Sequence, residues 1–127
     1  MTTSPDSVVR HTVLVVDDID DARELFGYVL RWSGFQVIEA ANGSDAVRQA
    51  AAHVPSVILM DLFMPGVDGV SAARQIKDDP RLRHIPIIAW TARPSVVDNH
   101  PALFAAVVAK PGTPDAILGA IRSLLPA

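Results

Sequence analysis

Val57-Ile58-Leu59-Met60-Asp61-Leu62-Phe63-Met64-Pro65-Gly66-Val67-Asp68-Gly69 decides how the rest of the chain is read. An apolar run carries no charge until it meets Asp61, and a loop marked by Pro65, Gly66 and Gly69 follows. Such a run reads as a parallel strand buried on both faces. In open α/β sheets the working groups sit beyond the carboxyl ends of the strands, and Asp61 falls at that end. Taken alone, Asp61 could equally cap the turn that follows. The other strands decide between the two.

Val13-Leu14-Val15-Val16 forms a first buried strand and runs directly into Asp17-Asp18. Phe35-Gln36-Val37-Ile38-Glu39 makes a second strand of mixed burial. Ile85-Pro86-Ile87-Ile88-Ala89-Trp90-Thr91 is a fourth, with its proline at the entry where no ladder donor is lost. Ala105-Ala106-Val107-Val108-Ala109 is the fifth and ends on Lys110-Pro111.

Helical spacing fills the intervals. From Asp20, residues Ala22, Leu25, Phe26, Val29 and Leu30 share one face, acidic residues occupy the first turn, and Gly34 ends the helix. Asn42-Gly43-Ser44 opens a second helix to about His53, and Asp68 opens a third that runs to about Asp78 before Asp79-Pro80. Val70, Ala73 and Ile76–Lys77 are its inward positions. Thr113 and Pro114 start a last helix through Leu125 as N-cap and first helical residue. Strands alternating with helices predict a doubly wound, five-stranded parallel sheet. Residues 1–10 read as a flexible polar tail and 11–127 as one domain.

Composition narrows the function. With 127 residues, half of them hydrophobic and a fifth charged, the chain is sized for one globular core. A net charge of −3 without a Lys/Arg run argues against direct nucleic-acid binding. The absence of cysteine excludes disulfides and thiolate metal sites. The first residues lack a signal peptide's basic and apolar regions, and no run approaches the ~18 apolar residues of a membrane span. The expectation is a cytoplasmic protein without membrane insertion. His11, His53, His84 and His100 share no ligand or catalytic spacing.

Parallel strands place their carboxyl ends on one edge of the sheet, so Asp17, Asp18, Asp61, Thr91 and Lys110 converge there. Each has an ordinary explanation taken singly: helix caps, a turn hydroxyl, a solvated lysine. Three carboxylates facing one lysine are harder to explain as packing. A pair of carboxylates at ~4 Å repels by about 4 kcal/mol at an effective dielectric of 20. Oxygen ligands without His or Cys suit a hard ion that keeps several waters, which points to Mg²⁺.

Val15-Val16-Asp17-Asp18, Met60-Asp61 through Gly69, Ile85 through Ala92, and Val108-Ala109-Lys110-Pro111 together resemble the receiver domain of two-component response regulators, over about residues 11–125. The resemblance implies the flavodoxin-like strand order 2-1-3-4-5. It also implies that Asp61 is the phosphoacceptor for a sensor histidine kinase or histidine phosphotransfer protein. Asp17, Asp18, Asp61 and the backbone carbonyl of Phe63 would hold Mg²⁺. Lys110, before a cis Pro111, would pair with a phosphoryl oxygen, and Thr91 would be the switch hydroxyl. Enzymatic activity is limited on this reading to self-phosphorylation from a phosphodonor and self-dephosphorylation. No output segment follows Ala127, so a receiver acting alone on an unknown downstream protein is expected.

Several positions depart from the family pattern. Phe63 is bulkier than many members carry there, and Arg93 puts a cation near the phosphoryl exit; both are expected to slow dephosphorylation. Val107 replaces the aromatic residue that often swings inward with the switch hydroxyl. Leu103 replaces a glycine that usually ends the fourth helix. Pro101 then confines any helix beginning near Ser95 to end by about Asn99, a shortened fourth helix. Two other readings are a phosphorylation-independent interaction module and an Asp-nucleophile phosphatase. Asp18-Ile19-Asp20 superficially resembles the Asp-x-Asp of haloacid-dehalogenase phosphatases, but Ala22 stands where that family has Thr or Val.

Overall fold

The computed structural model describes residues 10–125, so nearly all of the polar tail at 1–10 lies outside the described residues. Strands β1 (Thr12–Val16), β2 (Gln36–Ala40), β3 (Val57–Asp61), β4 (Ile87–Thr91) and β5 (Ala106–Ala109) form one parallel sheet in the order 2-1-3-4-5. The helices are α1 (Asp20–Trp32), α2 (Gly43–His53), α3 (Gly69–Asp78) and α4 (Pro114–Leu124). Between β4 and β5 lies only a 3₁₀ helix, Pro94–Asn99. The segment ends at Asn99, where Pro101 requires it to.

Side-chain alternation along the strands separates two cores. Leu14, Val16, Ile58, Met60, Ile87 and Ala89 pack with Ala46 and Ala50 of α2 and Ala72, Ala73 and Ile76 of α3. Val13, Val15, Val57, Leu59, Ile88, Trp90 and Val108 pack on the other face with Phe26 and Leu30 of α1 and Ile117, Leu118 and Ile121 of α4. Each face of a strand is read by every second residue. The central strand β3 is buried at all five positions, as its uninterrupted apolar run demands. The edge strands are less covered: β2 is mostly half-buried, and Val107 of β5 is exposed.

The helix starts follow local chemistry. The side chains of Asn42, Asp68 and Thr113 accept bonds from the N–H groups of Asp45, Ser71 and Ala116, capping α2, α3 and α4. At the other end of α3, Lys77 turns inward and donates to the carbonyls of Arg83 (3.1 Å) and Ile85 (2.6 Å), tying the helix to the turn before β4. Burial lowers the Lys77 pKa.

Three expectations need correction. Leu25 is 54% exposed and does not share the buried face of α1, which consists of Phe26, Gly27 and Leu30. The stripe toward the sheet is therefore narrower than the spacing implied. The second strand begins at Gln36, because Phe35 is still part of the helix-ending turn, its N–H bonded to the Leu30 carbonyl. The fourth strand begins at Ile87; the Ile85 N–H still closes the preceding turn onto Leu82.

Two glycines make opposite use of lacking a side chain. A Cβ on Gly69 would stand 2.2 Å from the Asp61 carbonyl oxygen and 2.7 Å from the Leu62 Cα, so α3 starts in direct backbone contact with the end of β3. A Cβ on Gly119, inside α4, would meet nothing within 4 Å. Urea denaturation should therefore show Gly119→Ala stabilised by about 0.5–1 kcal/mol. Gly69→Ala should be destabilised by about 2 kcal/mol or more, since backbone cannot move aside as a side-chain tip can. Similar small effects at both positions would refute the close approach at Gly69.

Candidate functional site

The register of the sheet builds the site. Val16 lies opposite Met60, so the residues that follow each, Asp17 and Asp61, leave neighbouring strands side by side. Asp61 in turn lies opposite Trp90, and Trp90 opposite Val108. The main chain beyond the strands is also tied: the Asp17 N–H donates to the Ala40 carbonyl (3.2 Å), the Leu62 N–H to Trp90 (3.4 Å) and the Lys110 N–H to Thr91 (2.8 Å). The Lys110–Pro111 peptide is cis.

Carboxylate oxygens of Asp17, Asp18 and Asp61, one from each, lie within 4.8 Å of one another. Asp17 and Asp61 are buried, at 1% and 2% exposure, and Asp18 is exposed. The Lys110 Nζ stands 3.2 Å from the Asp61 Oδ1, which also accepts the Phe63 N–H at 3.2 Å. Burial pushes the Asp61 carboxyl above its ordinary range; Lys110 and the Phe63 N–H oppose the rise, and the charge of Asp17 adds to it. Lys110 also sits 5.5 Å from the centre of the Trp90 ring, which meets Phe26 edge-on at 5.3 Å.

One lysine does not balance three carboxylates. The Asp17 Oδ1 accepts the Ile19 N–H at 2.9 Å, but its Oδ2 is buried and has no hydrogen-bond partner. A buried carboxylate oxygen left unpaired is costly, and a cation is the usual remedy. The donor set is oxygen only and contains no His or Cys, which fits a hard divalent ion. The residues present therefore fit Mg²⁺ at Asp17, Asp18 and Asp61.

Thr91 is fully buried and follows Trp90, so its side chain belongs to the opposite face of the sheet from Asp61. Its Oγ1 accepts the Arg93 N–H at 3.0 Å. That face is where Val96, Val97, Leu103 and Phe104 pack, which puts Thr91 between the acidic cluster and the 3₁₀ helix. Phe63 and Arg93 come together from the loops after β3 and β4, the Arg93 guanidinium 5.5 Å from the ring centre. The ring is half exposed. Val107 stands exposed on β5 and is not gathered into the cluster.

Two features escaped the sequence reading. Arg23 reaches across the start of α1 to the Asp17 carbonyl, Asp20 and Glu39. Its signal was weak, a cation six residues after Asp17, and its partner Glu39 lies on another strand. Beside the cluster a largely apolar groove of about 490 Å³ is lined by Ile19, Ala22, Leu25, Phe26, Trp90 and Pro111. Its walls come from α1 and the loop after β5, which no local pattern joins.

Residues 13–122 match the family model described as the response regulator receiver domain. The response regulator PleD of Caulobacter vibrioides is 42% identical over 80 residues, a match covering 63% of this chain and 18% of PleD. The polar-differentiation response regulator DivK of Brucella anthropi is 41% identical over 81 residues, covering 64% of this chain and 66% of DivK. The matches thus span under a fifth of PleD and just under two thirds of DivK. Among solved structures, the receiver domain of the sensor histidine kinase PA1611 from Pseudomonas aeruginosa PAO1 superposes with a TM-score of 0.83 at 30% identity. That match covers 91% of this chain and 98% of the other, which has a magnesium ion coordinated in its active-site cleft.

The buried Asp61 predicts a pH signature in metal-free protein. Its folded pKa lies above the ordinary 3.8, so folding favours its protonated form. The resulting stability is full below about pH 3.8 and is lost as pH rises through the folded pKa. Asp61→Asn does not titrate and escapes that loss. With EDTA present, its urea midpoint should exceed that of the parent at pH 7, and the difference should shrink as pH falls toward 4. A pH-independent difference would mean that Lys110 fully offsets burial.

Proposed function

The chain belongs to the response regulator receiver family, and from that we propose that it accepts a phosphoryl group on Asp61 from a phosphohistidine and thereby switches its hold on a partner protein. The observation that carries this reading is the buried Asp61 carboxylate, held 3.2 Å from Lys110 with oxygens of Asp17 and Asp18 within 4.8 Å. Receiver domains bind Mg²⁺ at such an acidic pocket and exchange phosphoryl groups with histidine kinases or phosphotransfer proteins.

On this reading an Asp61 oxygen forms a bond to phosphorus as the P–N bond of the phosphohistidine breaks, the electron pair leaving with the imidazole nitrogen. The product is an acyl phosphate, a known form of carboxylate nucleophilic catalysis. Asp17, Asp18 and the Phe63 carbonyl, with Asp61, would hold Mg²⁺, whose charge offsets that of nucleophile and phosphoryl group. Lys110 then follows the charge from the carboxylate to a phosphoryl oxygen. The groove beside the cluster gives the phosphohistidine side of a partner an apolar surface to lie on while its imidazole approaches Asp61.

On this reading Thr91 carries the change outward. A phosphoryl oxygen is a strong, charged acceptor for its hydroxyl, and the Arg93 N–H that Oγ1 accepts at 3.0 Å belongs to the start of the 3₁₀ segment. Val107 provides no ring for the inward swing, so residues 92–104 are the element that responds. None of the six residues of the 3₁₀ helix is fully buried and only Val96 and Val97 of them pack on the core, so the contacts opposing its redocking are few.

Incubation with acetyl phosphate and Mg²⁺ should add the mass of one phosphoryl group to the parent and none to Asp61→Asn. EDTA should abolish the gain. A gain that persists in Asp61→Asn would reject Asp61, and none in the parent would favour a docking module independent of phosphorylation. In the phosphorylated sample, amide hydrogen exchange should change across residues 93–104; unchanged protection there would leave the segment a rigid loop.

Phe63 and Arg93 stack on one another from the loops that follow Asp61 and Thr91, and on this reading the ring and guanidinium exclude or misplace the attacking water. Removing either should shorten the lifetime of the phosphorylated form, by about threefold to tenfold if each contributes on the order of 1 kcal/mol. Decay measured in Phe63→Asn and Arg93→Ala checks this, and unchanged lifetimes in both would remove the pair from the site's chemistry.

A further inference from the structure

We infer that Arg23 is the positioning residue of the acidic pair, setting the aim of Asp17 and Asp18 through the main chain between them. The inference rests on the reading that these carboxylates hold a divalent cation. Arg23 turns all three guanidinium nitrogens toward polar partners. Nη1 donates to the Asp17 carbonyl at 2.8 Å, Nη2 to the Asp20 carboxylate at 2.6 Å, and Nε stands 3.4 Å from Glu39. Its side chain is only 15% exposed. Glu39 is itself held from the other side by Arg31 at 3.2 Å, so the brace is anchored on β2 as well as on α1.

The Asp17 carbonyl belongs to the peptide that joins Asp17 to Asp18. With the Asp17 N–H already bonded to Ala40, the bond from Arg23 fixes the second side of the same residue. Two points of attachment determine the direction of the Asp17 Cα–Cβ bond, and fixing the following peptide constrains that of Asp18. From this held main chain the Asp17 Oδ1 takes the Ile19 N–H, and the buried Oδ2 has no hydrogen-bond partner. One oxygen of this carboxylate lies within 4.8 Å of oxygens of Asp18 and Asp61, and that arrangement is what the brace preserves.

Charge alone predicts the reverse of positioning. Arg23 is a cation beside an acidic cluster, so deleting it would strengthen cation binding if only Coulomb forces counted. A lysine in its place would leave binding unchanged on that account, since the charge is kept. Positioning requires the planar fork that reaches a carbonyl and Glu39 together, which lysine lacks. Arg23→Lys and Arg23→Ala should therefore both weaken Mg²⁺ binding, by about tenfold.

The measurement is a Mg²⁺ titration followed by Trp90 fluorescence in a Trp32→Phe background, because Trp32 is 83% exposed and would contribute its own signal. Urea denaturation of each variant sets conditions under which it is folded, and Arg23→Lys stands in if Arg23→Ala does not fold. Weaker binding in both variants supports the brace. Unchanged binding in Arg23→Lys, or tighter binding in Arg23→Ala, overturns it while leaving the metal reading intact. A parent that shows no saturable response, confirmed by calorimetry, overturns both.

Discussion

Three carboxylates are gathered where two of them are almost wholly out of water, and the rest of the molecule is arranged around tolerating them. At a few ångströms their mutual repulsion is several kcal/mol, more than a surface ion pair returns. The sheet withstands this because the acidic residues stand at the ends of two neighbouring interior strands, β1 and β3, whose middles are fully buried. Strand ends anchored in this way cannot splay to relieve the strain of like charges. Lys110 offsets part of it directly, and the unpartnered Asp17 oxygen marks what a bound cation would relieve.

The two faces of the sheet divide the labour. Asp17, Asp61, Trp90 and Lys110 continue the side-chain row that packs on α1 and α4. Thr91 begins the other row, under the 3₁₀ helix. Under the proposed function, chemistry at Asp61 would reach residues 92–104 across the sheet edge by one residue step, from Trp90 to Thr91. This is a short route and needs no aromatic side chain at Val107.

The interval between β4 and β5 shows how far local rules reach. Pro94 begins a helical turn and Pro101 forbids its extension, and the structure follows both. Leu103, two residues beyond Pro101, is a buried anchor in the core. His100 adds a bond to Arg74 of α3 at 3.3 Å, tying the end of the turn to the neighbouring helix. The segment is short because of its prolines, and it is docked because of three or four apolar side chains that sequence spacing did not group.

Much of the fold was legible because it depends on periodicity and on punctuation. Apolar runs, the caps Asn42, Asp68 and Thr113, and the breakers Gly34 and Pro80 specify five strands and four helices with boundaries in error by one or two residues. That Asp17, Asp18, Asp61 and Lys110 meet was legible too, since parallel strands send their ends to one edge; Thr91 ends its strand with its side chain on the other face. What tertiary structure alone decided is pairing between segments far apart in the chain. Leu25 satisfies the helical spacing yet faces solvent, because the width of the stripe depends on what packs against it. Arg23 meets Glu39, Phe63 meets Arg93, and Gly69 meets the backbone of Asp61, each through a register that local sequence does not encode. Periodicity reports which side of an element is buried; only the assembled sheet determines which side chains then fall within bonding distance.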